Sequence, residues 1–190
     1  MTVLSTAKLF SGLFLVAGLA ACGSSSEEDV TFASLDEERD EILTDLAAAS
    51  PTLDMPTSGT AYYEGVAGFK VGSAASSVAD MDFLADAALA ADFGAGEIEG
   101  DFYDFHDTSG NSLTGNFKVE DGVITDNTFS ADVNGSYVQD GVVATLEGTT
   151  TGTFLGDDAE LISGDVTGTV SYVDGSTADM FGDVSMREDD

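Results

Sequence analysis

Basic residues are the scarcest feature of this chain. Among its 190 residues are 5 Lys plus Arg against 36 Asp plus Glu, a formal net charge of −31 at pH 7. Such a chain repels phosphate, which argues against nucleic-acid binding and against an electrostatic membrane anchor built from basic residues. Cysteine occurs once, so no internal disulfide framework exists and stability must come from a packed core. Histidine also occurs once, at His106, leaving no second imidazole for a metal site or for a nucleophile and base. Proline is limited to 2 residues and tryptophan is absent, whereas there are 22 Gly, 12 Phe and a hydrophobic fraction of 43%. That balance is too apolar for disorder and too rich in glycine for a helical bundle. It suits one domain of strands and turns.

The first 21 residues read as an export signal. Lys8 is the only basic residue before an apolar run from Leu9 to Ala21, and the first acid is Glu27. A spanning helix needs about 20 apolar residues, and this shorter run ends in small side chains as a cleavable signal does. Leu19-Ala20-Ala21-Cys22 then resembles the bacterial lipobox. The resemblance implies cleavage after Ala21, diacylglycerol on the Cys22 sulfur, and acylation of the new amino terminus with a palmitate-type chain. The alternative is a stray cysteine in a simple signal peptide. Each buried CH₂ contributes about 0.8 kcal/mol, so several acyl chains hold a protein on a membrane without any spanning segment. Residues 22–33, which include Gly23-Ser24-Ser25-Ser26-Glu27-Glu28-Asp29, are expected to form a flexible tether.

Residues 34–58 are expected to hold one helix and a linker. Ser34 has the chemistry of an N-cap with Glu37 three positions on, and Asp36, Glu37 and Glu38 follow closely. Leu35, Ile42, Leu43, Leu46 and Ala47 recur at helical spacing until Ser50-Pro51 stops the run, which predicts an amphipathic helix over 35–49. Such a helix either packs on its own barrel or serves as a plug or partner-binding element.

From Gly59 the period becomes two. Ile162, Gly164, Val166, Gly168, Val170 and Tyr172 alternate with Ser163, Asp165, Thr167, Thr169 and Ser171, and shorter runs behave likewise. Strands are expected near 60–69, 80–93, 96–106, 112–119, 128–137, 142–154, 160–172 and 179–187. Within them glycine recurs on the apolar face, as in Tyr63-x-Gly65-x-Ala67, Ile98-x-Gly100-x-Phe102, Leu113-x-Gly115-x-Phe117, Val133-x-Gly135-x-Tyr137, Ile162-x-Gly164-x-Val166 and Met180-x-Gly182-x-Val184. Glycine weakens a strand, so its repeated use implies sharp bending or close backbone approach on the inside of a curved sheet. Turn chemistry punctuates the runs at Ser109-Gly110-Asn111, Asp121-Gly122, Gln139-Asp140-Gly141, Gly156-Asp157-Asp158 and Asp174-Gly175-Ser176. The expected fold is all-β, an eight-stranded antiparallel up-and-down barrel, which removes exposed edges. The 80–93 segment is ambiguous, because its alanines also suit a helix. Strand phase would put Met81, Phe83, Leu89 and Phe93 on one face, with Asp82, Asp86 and Asp92 on the other.

Gly59-Thr60-Ala61-Tyr62-Tyr63-Glu64-Gly65, Leu89-Ala90-Ala91-Asp92-Phe93-Gly94, Ile98-Glu99-Gly100, Phe129-Ser130 and Phe181-Gly182 occur in the order found in the barrel domain of transferrin-binding protein B. Residues 59–190 resemble that domain. The resemblance implies an eight-stranded barrel on a lipid-anchored protein of the outer membrane or cell surface of a Gram-negative bacterium; an integral outer-membrane transporter is a separate partner expectation. The chain departs from the family where the two lobes and handle regions should be, and in its closing Met186-Arg187-Glu188, so transferrin binding is not carried over.

No catalytic constellation is apparent. His106 with Asp104 and Asp107 reads as a polar turn, no Gly-x-Ser-x-Gly elbow occurs, and Gly94, Gly96 and Gly100 lack dinucleotide spacing. Asp157-Asp158 and Glu188-Asp189-Asp190 lack the spacing of an EF-hand loop. No enzyme activity, cofactor or metal is expected. The acidity serves either solubility in salty water or the steering of a cationic partner. The expected role is non-enzymatic binding of a protein or nutrient, through loops at 72–78, 105–111 and 156–160. Two rivals are a carrier holding a small hydrophobic or iron-chelate ligand in the lumen, and an inhibitor of cationic host proteins such as lysozyme.

Overall fold

A computed structural model describes residues 30–72 and 80–189. One helix, α1 (Phe32–Ala48), precedes eight strands: β1 (Thr60–Val71), β2 (Phe83–Asp92), β3 (Glu97–Asp107), β4 (Ser112–Thr125), β5 (Thr128–Gln139), β6 (Val142–Leu155), β7 (Leu161–Tyr172) and β8 (Thr177–Glu188). Each strand pairs with the next, and β8 pairs back to β1 in antiparallel register, so the sheet closes into a barrel. The eight expected strands are all present. The alanine-rich segment is a strand, because Ala85, Ala87 and Ala91 face a lumen already crowded by larger neighbours.

Three local expectations are corrected. Helix α1 starts at Phe32 and is capped by Thr31: the Ser34 N–H donates to Thr31 Oγ1 at 3.2 Å and the Thr31 N–H donates to Ser34 Oγ at 2.9 Å. Ser34 is thus the far member of the capping box, and the expected tether to residue 33 is shorter by that first turn. Asp121-Gly122 is no turn but a bulge inside β4, where the register with β5 shifts between Glu120 and Val123. The reversal comes at residues 126–127, with Asp126 at φ 52°. Met81 precedes β2 and packs outside the barrel with Leu35, Val66 and Leu84, unlike Phe83 and Leu89, which point into the lumen.

The apolar partners of the glycine units line the lumen in all six cases. Gly135 shows the reason. A Cβ there would stand 2.1 Å from the Asn116 carbonyl oxygen and 2.8 Å from Phe117 Cα, so only glycine lets β5 lie this close to β4. Gly115, at φ +147°, faces Tyr137 while Gly135 faces Phe117, so each aromatic ring lies opposite a bare backbone position. Gly135→Ala is expected to cost about 1–3 kcal/mol by forcing the strands apart. Urea unfolding measures this, and an unchanged midpoint would refute the close-approach explanation.

Two aromatic groups fill the barrel. Phe69 touches Phe83, Phe102, Phe105 and Phe117 at ring separations of 5.2, 5.8, 6.1 and 5.3 Å. Towards the other end, Phe154 meets Tyr63, Phe93 and Phe129. The 156–160 loop folds over that end: Ala159 is buried at φ 67°, and Tyr63 Oη donates to its carbonyl at 2.7 Å. Burial and the nearby carboxylates of Glu188 and Glu160 raise the Tyr63 phenol well above its usual range, which keeps it a donor. The segment after α1 is tied to the same end, where Thr52 N–H donates to the Phe154 carbonyl and Thr52 Oγ1 donates to the Gly156 carbonyl.

Candidate functional site

The lumen is lined by one continuous cluster of buried side chains. Phe102, Phe117, Leu146, Ile162 and Val166, expected to fill the interior, are all fully buried. Eight strands give an interior just wide enough for side chains, and here aromatic rings occupy it. This packing disfavours the small-ligand carrier. The surfaces left accessible are the outer wall, the helix and the loops.

On the strands clear of α1 and of the bulges the wall alternates. Along β7 the residues facing out are Ser163, Asp165, Thr167, Thr169 and Ser171, while Ile162, Val166 and Val170 face in. A barrel buried in hydrocarbon needs the reverse, apolar outside, so this one is built to stand in water. No helix among the described residues is long and apolar enough to cross a membrane.

Helix α1 covers part of the wall, over β8, β1 and β2. Its buried stripe is Leu35, Arg39 and Ile42, spaced at four and three residues. Leu35 packs with Val66, Met81 and Leu84, and Ile42 reaches Gly65, which has no side chain to obstruct it. Arg39 is fully buried and its Nη2 donates to Asp183 Oδ2 on β8. Burial pushes the Asp183 carboxyl up, against the opposing pull of the Arg39 guanidinium. The helix is thus docked on its own barrel. Arg39 escaped notice because a charged residue was not counted in the apolar stripe, although its spacing from Leu35 and Ile42 places it there.

Of the three loops expected to carry contacts, 72–78 lies almost wholly outside the described residues. In an up-and-down barrel successive turns alternate between ends, so the β3–β4 turn and the 156–160 loop stand at opposite ends and cannot form one patch. Asp107 organises the former: its carboxylate accepts from the Ser109 and Asn111 N–H groups and from Asn111 Nδ2, each at 2.9 Å. The Asn111 side chain, with those N–H groups, holds the Asp107 carboxyl below its ordinary range. His106 is buried beside this turn, and its Nδ1 has no hydrogen-bond partner among the described residues. Among the described residues no three His, Cys, Asp or Glu side chains stand together as metal ligands. Cys22 lies outside the described residues.

Hollows mark the uncovered wall, among them the following two. One, over β4–β7, mixes hydroxyls and one acid, among them Thr128, Ser130, Thr151, Ser163 and Asp165, with the apolar Pro51, Val123, Phe129 and Leu155. The other, over β1–β4, is lined by Tyr62, Ala88, Ala90, Glu99, Asp101 and Tyr103. At its edge Asp86 is crowded by Asp104, Glu38 and Glu64, and burial together with these neighbours raises its pKa from 3.8 to about 6. An acid whose folded pKa exceeds its unfolded value contributes stability that is complete below pH 4 and is lost as pH rises through 6. The chain is therefore expected to melt at a higher temperature at pH 5 than at pH 8, with Asp86→Asn flattening the slope between pH 4 and 6. A melting temperature that climbs from pH 5 to 8 would contradict this.

A family model described as the C-lobe and N-lobe beta barrels of Tf-binding protein B matches residues 55–183. The chain belongs to this family. The motifs shared with the transferrin-binding protein B barrel now have structural roles. Asp92 ends β2 and its carboxylate accepts the Gly94 and Ala95 N–H groups at 2.9 Å, while Phe93 meets Phe154 at the barrel end. Residues of these motifs serve both faces, for Tyr63, Leu89, Ile98 and Phe129 fill the lumen while Tyr62, Ala90 and Glu99 lie on the outer wall. Among solved structures, a double-mutant vaccine antigen transferrin-binding protein B from Haemophilus parasuis is similar, at 18% identity and a TM-score of 0.44. The match covers 74% of this chain and 28% of that one, so the chain corresponds to a minor part of that protein's length. No curated protein matches the sequence.

Proposed function

We propose that this protein is a non-enzymatic surface lipoprotein of a Gram-negative bacterium, with its barrel held off the membrane by acyl chains on Cys22 and the tether that follows. It binds a protein, or a nutrient carried by one, through the outside of the barrel, alongside an integral outer-membrane transporter. The observation that carries the binding reading is a closed barrel with a filled lumen and a polar outer wall. Family membership and the Leu19-Ala20-Ala21-Cys22 sequence support the anchoring. The similar Haemophilus protein is named for transferrin binding. That ligand is not assigned here, because the chain matches only the barrel family and a minor share of that protein.

Cys22→Ser is expected to move essentially all of the protein from the membrane fraction to the soluble fraction and to abolish incorporation of a clickable palmitate analogue. Protease added to intact cells should digest the wild-type chain. A serine variant that stays with the membrane would defeat the anchor, and a chain protected from protease until lysis would defeat the surface location.

A further inference from the structure

We propose that the outer face of β1–β3 is a docking groove for an extended, lysine- or arginine-bearing segment of a protein partner. The inference rests on the reading that the barrel binds through its outside, and it adds the place and the chemistry. Large side chains are exposed here. Tyr62 on β1 is 62% accessible and Tyr103 on β3 is 38% accessible. Between them β2 presents only Ala88 and Ala90, which makes a low floor between two rings. Tyr62 stands opposite Ala90 and Tyr103 opposite Asp86, a separation of four residues or about 13 Å along the strand. Four or five residues of extended chain span that distance.

The rim selects the charge of the occupant. Glu64 and Asp101 flank Ala88 from the two sides, and Glu99 stands beside Ala90. Among the described residues, ion pairs commit Arg39 to Asp183, Lys70 to Asp82 and Arg187 to Glu38; the register also sets Arg187 across from Glu64 and Lys118 across from Asp101, while no cation stands across from Asp86, Glu99 or Glu120. Lys118, across from Asp101, is the one cation among the residues lining the hollow, against Glu99, Asp101 and Glu120, so the rim stays net negative. A purely apolar segment would desolvate these carboxylates without compensation, and an anionic one would be repelled. A cationic segment satisfies them, and its ammonium or guanidinium groups can sit on the tyrosine faces. The closed barrel has no free edge, so the partner cannot add a strand and side chains must carry the contact.

The test uses the full chain and a fluorescein-labelled decapeptide of alternating lysine and glycine, followed by anisotropy at about 0.15 M salt, where charges more than about 8 Å apart are largely screened. Tyr62→Ala with Tyr103→Ala, which leaves the net charge unchanged, is expected to weaken binding at least about tenfold. Tyr62→Phe with Tyr103→Phe is expected to retain most of it. Asp140→Asn with Glu147→Gln removes two charges from the β5–β6 side, away from the groove, and is expected to change affinity less than about twofold. Thermal melts confirm that these surface variants fold. If the alanine pair binds as tightly as wild type, or if the β5–β6 pair loses as much, the peptide senses only general acidity and the groove is refuted. The assay needs no membrane. Failure of the groove therefore leaves the lipoprotein reading to the Cys22→Ser result, and failure of that result leaves the groove standing.

Discussion

Phe69→Ala is expected to remove about 3–5 kcal/mol of stability, the usual cost of emptying a buried phenylalanine site. A domain of this size is stable by only about 5–15 kcal/mol, so the variant should be partly unfolded at physiological temperature. Phe69 is the hub of the larger aromatic group, in ring contact with Phe83, Phe102, Phe105 and Phe117, and it is fully buried. Its loss leaves a hole that the walls cannot close. Collapse would require β1, which pairs with both β2 and β8, to move inward against two hydrogen-bonded neighbours. Phe69→Leu, which keeps much of the volume, is expected to lose less than half as much. Chemical denaturation with tryptophan-free fluorescence or circular dichroism measures both. A Phe69→Ala protein as stable as wild type would mean that the lumen is not a packed core, and it would reopen the carrier reading.

Arg39→Ala is expected to undock α1, with a loss of about 3–5 kcal/mol, because removal of one member of a buried ion pair strands the other. Asp183, already pushed up by burial, then lacks its only opposing cation. The sign of the pH dependence follows. A carboxylate whose folded pKa lies above its unfolded value weakens the fold as pH rises through the folded pKa, and costs nothing once both states are protonated. The deficit should therefore be largest near pH 8 and shrink towards pH 4. Early loss of the helical circular dichroism signal and faster protease cleavage within 32–48 report the undocking. Arg39→Met with Asp183→Asn, which removes both charges, is expected to recover most of the loss. Equal deficits at pH 4 and pH 8 would show that Arg39 acts through the packing of its stem and not through its charge.

These two positions differ in how visible they were beforehand. Phe69 and its ring partners occupy the apolar phase of alternating strands, a pattern that each strand displays by itself. Gly100, Gly115 and Gly135 were legible in the same way, because a strand that spends glycine on its apolar face signals close backbone approach without revealing which backbone comes near. The Arg39–Asp183 pair joins residues 144 positions apart. Nothing local to either residue reports the other. Asp121-Gly122 misled for a related reason: the same dipeptide chemistry serves a hairpin turn and a bulge, and only pairing with Ser130 and Asp132 on β5 decides between them.

The primary structure on its own determined what is periodic or compositional: strand count and phase, the inward glycines, the excess of carboxylates and the resemblance to a barrel family. Tertiary structure alone decided what depends on closure and register. It set α1 on the β8–β1–β2 wall, sent the 105–111 and 156–160 loops to opposite ends, and brought Tyr62 and Tyr103 to the two sides of an alanine floor. The physical reason is that a strand's alternation tells each side chain which face it occupies. Which side chains become neighbours on that face is decided by the hydrogen-bonded register between strands, a property of the pair and never of either strand alone.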